Sequence, residues 1–422
     1  MIFFSYKTMF LNFRTYYHFS GNIDVKVAKG IVSSLWGMPQ SLRRITSSTG
    51  FIPEIDGLRF LAIVPVVFQH FSERILNVYP TNEGESNQLA WLCSHGHIGV
   101  YIFFAISGFI LALPFGKAKL SGGKPVSLKQ YFIRRVTRIE PPYLVVMTLL
   151  FVALLVAKHE SFSGMFPHYL ASIFYVHRFV YGGWSPINPP AWTLEVEVSF
   201  YLVAPFITAA YFGIRNAAIR RTILVLLIVV KVFVANTTTI FDDLYLTLPF
   251  LIEYFCVGIL VADFFLTDMR DPSNNNSRLF DVIALISIVV LFCTWSWDKN
   301  IIWKWPFLTA LFFTFYGCLR GERVKKFFQL PWITAIGGMC YSIYLLHLAF
   351  AEFAATIIKK VSPFNTYFAN FTLWIPFFLL GLFVVSVIFF KLIEQPCMNP
   401  AWPRQLVQYV RSKFGVSAQS NG

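Results

Sequence analysis

The sequence predicts an all-α integral membrane protein of about ten transmembrane helices with both termini in the cytoplasm. Three observations lead there. Hydrophobic residues make up 56% of the 422 and charged residues 13%, about half the charged share of an ordinary soluble domain. The apolar residues fall in runs of about 20, the length a helix needs to cross a ~30 Å hydrocarbon core. Lysine and arginine are also unevenly shared between loops. With the N-terminus placed inside, 26 of the 35 fall on the cytoplasmic side and seven on the exterior, as the positive-inside rule requires. Orientation therefore accounts for the net charge of +14, and no nucleic-acid partner is needed. The implied location is the cell's inner (plasma) membrane.

Taken in order, residues 1–52 read as a basic tail, interfacial or disordered. Lys7 and Arg14 interrupt its apolar patches and no small-residue cleavage site follows; Met38 is an alternative start. The transmembrane domain is expected over 53–396. Its spans are predicted near 55–73, 97–115, 139–157, 191–212, 219–236, 244–266, 279–296, 301–318, 332–354 and 370–392. "FPHYLASIFYVHRFVY" (166–181) is too short and polar for a span and reads as a re-entrant or interfacial helix. Residues 397–422 are expected to form a short cytoplasmic tail. The six cysteines show no CxxC spacing, so neither a disulfide framework nor a metal site is implied.

An ionisable side chain inside a span costs ~2.5–3.5 kcal/mol on insertion scales, so each one calls for a reason. "IDGLRFLAIVPVVFQH" places Arg59 and His70 eleven residues apart. That is three turns on one helix face, about 16 Å along the axis. Arg59 then sits near the cytoplasmic end and His70 past mid-membrane. In "YFIRRVTRIEPPY", Arg135 and Arg138 share a face at the same interface. With Arg59 they make a site for a phosphorylated cytosolic ligand, because guanidinium binds phosphate bidentately. Arg134 is an anchor, and Glu140 with Pro141 and Pro142 are expected to start the helix. In "AWTLEVEVSFYL", Glu195 and Glu197 point about 200° apart, so only one can face a given cavity. Asp263 is expected to snorkel to the interface, and Glu394 to act as a cap partner. In "YSIYLLH", the hydroxyls of Tyr341, Ser342 and Tyr344 suit interhelical hydrogen bonding, and His347 reads as a satisfied core histidine.

Together these segments resemble the acyltransferase family 3 membrane proteins, transmembrane O-acyltransferases that modify cell-surface glycans. The resemblance rests on six motifs in order: "DGLRFLA" with His70, "GVYIFFAISGFIL", "RRVTRIEPPY", "AWTLEVEVSFYL", "YSIYLLH" and "IEQP". It covers about 53–396. Departures are Phe60 where many members have glycine, Val198 in place of the second acid of a usual pair, and Glu195 where serine is common. Some relatives add an SGNH-type esterase domain; none is expected in the 26 residues after Pro396.

The resemblance implies transfer of an acyl group, usually acetyl, from cytosolic acetyl-CoA to a hydroxyl of a carbohydrate or glycolipid acceptor. Arg59, Arg135 and Arg138 would bind the donor's phosphates. His70 would be the general base or the acyl carrier. Glu197 would orient its imidazole or bind the sugar. Asp56, Trp192, Tyr341 and Ser342 would bind or support substrate. Two rivals stand beside this reading. A transporter or lipid-linked-glycan flippase fits the spans and buried charges, but no two similar halves with broken helices are visible. A non-catalytic receptor would have little use for Arg59, His70, Arg135 and Arg138 together.

Overall fold

In lipid every backbone polar group must be satisfied within its own segment, which leaves the helix as the default for these apolar runs. The structure, a computed structural model, describes residues 39–44, 51–80, 88–269, 277–294, 301–399, 401–403 and 405. Most of the expected N- and C-terminal tails lie outside the described residues. The chain divides into two units, Met1–Ser41 and Leu42–Gly422. Of the first unit only 39–41 are described, and they are helical. The described residues contain no strands.

The second unit holds α1 (Pro53–Val78), α2 (Gln88–Ser94), α3 (Ile98–Leu120) and α4 (Leu128–Ala157). Two short helices, α5 (Phe162–Ile173) and α6 (His177–Tyr181), precede α7 (Trp192–Gly213), α8 (Ala217–Thr237), α9 (Leu248–Thr267), α10 (Arg278–Thr294) and α11 (Ile301–Arg320). Then come α12 (Arg323–Phe328), α13 (Pro331–Gly338), α14 (Cys340–Val361), α15 (Tyr367–Phe389), a π-helical turn over Phe390–Glu394 and α16 (Gln395–Cys397). Local signals set the starts. Pro53 opens α1, where its missing N–H costs nothing. The Asn216 side chain accepts from the Ile219 N–H at 3.1 Å to cap α8.

Every predicted span contains a helix, and among the described residues eight helical segments are long and apolar enough to cross a membrane. Two of the ten predicted spans fall outside that set. The α8 helix carries Arg220, Arg221 and Lys231, and α10 has 17 residues. The segment 166–181 is short helix rather than span, as expected.

Three expectations are corrected. The span predicted over 332–354 is two helices, broken at Met339. A Cβ on Gly337 would lie 1.7 Å from the Asp56 carbonyl oxygen, so the bare glycine lets α13 lie directly on α1. Pro141 and Pro142 do not start α4; the helix begins at Leu128, capped by Ser127, and the prolines sit inside it. Proline supplies no N–H to the carbonyl four residues back. The Thr137 oxygen that Pro141 frees accepts instead from the Trp402 indole N–H at 2.9 Å. Asp263 does not snorkel: it is fully buried, paired with Arg220 at 2.7 and 2.5 Å and accepting from the Tyr211 hydroxyl at 2.8 Å.

The core is organised around α3, which packs on α1, α7 and α9. Its approach to α9 depends on Gly108 and Gly258. A Cβ on either would lie 2.1 and 2.0 Å from a carbonyl oxygen of the opposite helix, the small-residue contact that lets membrane helices approach closely. On the other side α1 packs against α13 and α14. The groove between these two sets of helices holds the polar residues described next.

Candidate functional site

Two polar clusters follow one another along α1. Arg59, Val66 and His70 succeed each other at steps of seven and four residues, a single helical face. The first cluster lines a cavity of about 160 Å³ at the end of the bundle where α1 begins. Four guanidinium groups reach it: Arg59 from α1, Arg135 and Arg138 from α4, and Arg44 from the segment before α1. Because α4 runs unbroken through its prolines, the RRVTR segment is helical, and Arg135 and Arg138 share one side as the spacing predicted. Arg134 is exposed, consistent with an anchor.

The arginines are held in place. Asp56, 3% exposed, accepts a hydrogen bond from Arg59 and lies 3.8 Å from Arg44. Arg135 sits over the rings of Tyr131 and Tyr201 at 5.3 and 5.9 Å, a contact that favours a planar cation. Glu197 also faces this cavity and accepts from the Ser107 hydroxyl and, at 2.5 Å, from the Tyr201 hydroxyl. Glu195 points elsewhere, accepting from the Arg178 backbone N–H at 2.9 Å. The two acids thus diverge as their spacing requires. Tyr341 lines the cavity and donates to the Ile139 carbonyl at 2.9 Å. Ser342 lies behind the wall: its N–H and hydroxyl both donate to Glu394 Oε2, at 3.0 and 2.5 Å. That contact caps α14 and bears out the cap role expected of Glu394. Trp192 packs edge-on against Phe104, itself a wall residue, with ring centres 6.5 Å apart.

The cavity continues between apolar side chains as far as Val66, Val100 and Tyr344. One turn farther along α1 lies the second cluster. His70 Nδ1 is 2.9 Å from Glu73 Oε2, and Glu73 Oε1 accepts from Gln69 at 2.6 Å. The His347 ring centre is 5.0 Å from that of His70, and the His97 ring centre 6.1 Å. A carboxylate on Nδ1 selects the tautomer that carries its proton there, leaving Nε2 with a free lone pair. His347, fully buried, turns its own Nδ1 to the Tyr344 carbonyl at 2.6 Å, and its Nε2 has no hydrogen-bond partner.

Against the sequence-based expectations, Arg59, Arg135, Arg138, Glu197 and Tyr341 come together in one cavity, and His70 stands beyond it. The carboxylate that contacts the His70 imidazole is Glu73, three residues along the same helix. Glu197 is engaged on the other side by Ser107 and Tyr201. Three residues join the site beyond those the sequence predicts. Glu73 was visible in "QHFSE" as an i,i+3 partner of His70. The sequence predicts His347 to be a core histidine, and the structure places its ring against that of His70. Arg44 lies in the segment that the sequence predicts to be tail, and no motif marks it. Among the described residues no group of three or more His, Cys, Asp or Glu could hold a metal ion.

Comparison with known proteins finds relatives over most of the chain. The Staphylococcus aureus (strain COL) protein SACOL0978 is 23% identical over 400 residues, covering 87% of this chain and 61% of its own length. The "O-acetyltransferase OatA" of Staphylococcus aureus (strain NCTC 8325 / PS 47) is 23% identical over 324 residues, covering 71% of this chain and 50% of its own. The chain thus spans between half and two thirds of the length of these relatives. No solved structure gave a significant match. The profile of the Acyl_transf_3 family, described as an acyltransferase domain, matches residues 52–391, and the chain belongs to that family.

Proposed function

We propose that the protein is a membrane-embedded O-acyltransferase. It would move an acyl group, acetyl by analogy with the relatives, from cytosolic acyl-CoA to a hydroxyl of a carbohydrate or glycolipid acceptor at the cell envelope. In this reading ten helices cross the inner membrane and both termini are cytoplasmic. The single observation that carries it is the arrangement of the two clusters. An arginine-lined cavity at the basic end of the bundle extends along α1 to Val66, one turn from His70.

The donor's phosphates would pair with Arg59, Arg135 and Arg138, and its slender pantetheine arm would run between the apolar walls toward Val66 and Tyr344. Glu73 holds His70 through Nδ1, so Nε2 is the atom that can take the proton of an acceptor hydroxyl. As that proton leaves, the hydroxyl oxygen bonds to the thioester carbonyl carbon and the C–S bond breaks. The departing CoA sulfur then recovers the proton from the imidazolium. Glu73, carrying the opposite charge, favours that imidazolium as it forms. Glu197 would support the donor cavity through Ser107 and Tyr201.

The experiment is thiol release from acetyl-CoA by the purified protein in lipid nanodiscs, with and without a hydroxyl-bearing glycan acceptor. Acceptor-dependent CoA release with acetylated product supports the reading. Movement of a lipid-linked glycan without CoA release would replace it with transport.

A further inference from the structure

The family match begins at residue 52, yet one of the four guanidiniums in the cavity comes from before it. We infer that Arg44 is a fourth phosphate-binding group of the acyl-donor site, brought there by the docked segment Leu42–Arg44. The inference rests on the donor reading above.

The segment is built into the protein rather than lying loosely over it. Leu42 is 1% exposed. The Gln395 side chain donates to the Arg43 carbonyl at 3.3 Å. Position 338 is glycine, and a Cβ there would touch the Leu42 oxygen and Arg44 nitrogen at 3.7 Å each, so the strand of chain lies against the end of α13. These contacts leave the Arg44 side chain 12% exposed and turned into the cavity.

Its charge is incompletely answered there. The Asp56 oxygen 3.8 Å from Arg44 is the same one that accepts from Arg59, so one carboxylate oxygen serves two cations. Arg44 Nε is buried with no hydrogen-bond partner. Burial, together with Arg138 and Arg59, pulls the Arg44 guanidinium well below its ordinary value, and Asp56 only partly offsets this. A cation desolvated beside two others binds an anion more strongly than an exposed one would. The planar fork of arginine suits phosphate oxygens. A donor with several phosphate charges supplies what Arg44 lacks, whereas the uncharged thioester and acyl group do not.

The test uses the full chain in nanodiscs, three variants (Arg44→Ala, Arg44→Lys and Arg135→Ala) and three donors. The donors are acetyl-CoA, acetyl-3′-dephospho-CoA and S-acetyl-pantetheine, which carries no phosphate. Arg44→Ala is expected to weaken acetyl-CoA binding about tenfold or more and to leave kcat at saturation within about twofold. It should leave the KM for S-acetyl-pantetheine unchanged. Arg44→Lys should recover part of the loss, since it restores charge without the fork. The dephospho donor shows which phosphate is held: an unchanged Kd for it in Arg44→Ala assigns the 3′-phosphate, and a tenfold loss assigns the diphosphate. Wild-type acetyl-CoA affinity in Arg44→Ala, with weakening in Arg135→Ala, overturns the inference and leaves the donor site standing. Equal losses on all three donors also overturn it, because they mark a structural role. If Arg135→Ala binds normally as well, the donor site itself is wrong and the inference falls with it.

Discussion

Glu73→Gln is the substitution that most directly probes the chemistry. It removes the charge beside His70 while keeping size and the capacity to hydrogen-bond Gln69. The Nδ1–Oε2 contact is 2.9 Å and the Glu73 side chain is 38% exposed. A hydrogen bond to a charged group contributes ~1.5–3 kcal/mol when buried. An exposed ion pair contributes ~0.2–1 kcal/mol. Partial exposure places this pair between the two, about 1.4 kcal/mol, which is about tenfold in rate. The pair gains most when the imidazolium forms, so the loss belongs in kcat and the acyl-CoA KM stays near wild type. Steady-state CoA release at saturating donor and acceptor measures it. A kcat within twofold of wild type, or a tenfold rise in donor KM with kcat unchanged, would refute the assignment of Glu73 to His70.

Four further outcomes are expected. His70→Ala lowers acyl transfer by about 10²–10⁴-fold with donor binding retained, and His347→Ala lowers it less; the reverse order, measured by the same assay, moves the base role to His347. Arg135→Ala and Arg138→Ala each weaken acetyl-CoA binding about 10- to 150-fold, read by calorimetry, and unchanged affinity in both places the donor elsewhere. Gly337→Val forces α13 away from α1 and destabilises the fold by about 1–3 kcal/mol, visible as a lower thermal midpoint; a wild-type midpoint contradicts the close contact with Asp56. Reporters fused after Cys93 and within 236–243 score exterior, while fusions after Ser121 and at the C-terminus score cytoplasmic; two adjacent reporters on the wrong sides overturn the proposed span order.

Within a helix, the sequence is a good guide to what faces what. Arg135 and Arg138 share a side, Glu195 and Glu197 diverge, and Arg59 and His70 lie along one face, because 3.6 residues per turn is a local property of the backbone. The same holds for where helices occur, since lipid leaves an apolar run of 20 residues little else to be. The exceptions come from contacts made by distant chain. Gly337 lets α13 lie directly against Asp56 of α1, and Pro141 is tolerated inside α4 with Trp402 serving the carbonyl it frees.

Between helices the sequence is silent, and there the tertiary structure decided the site. Whether Glu197 also reaches His70 depended on how α1 and α7 are turned relative to each other. Glu197 looked right by motif, and it faces the arginine cavity. His347 looked inert, and the packing of α14 on α1 brings its ring within 5.0 Å of His70. Arg44 had no motif or span to mark it, and only the burial of Leu42 and its contact with α13 carry it to the other three arginines. What sequence alone determined about this protein is its helices, their polar faces and the basic end. The distances between those faces were decided by the tertiary structure. They are sums of many weak, non-local packing terms that no single stretch of chain encodes.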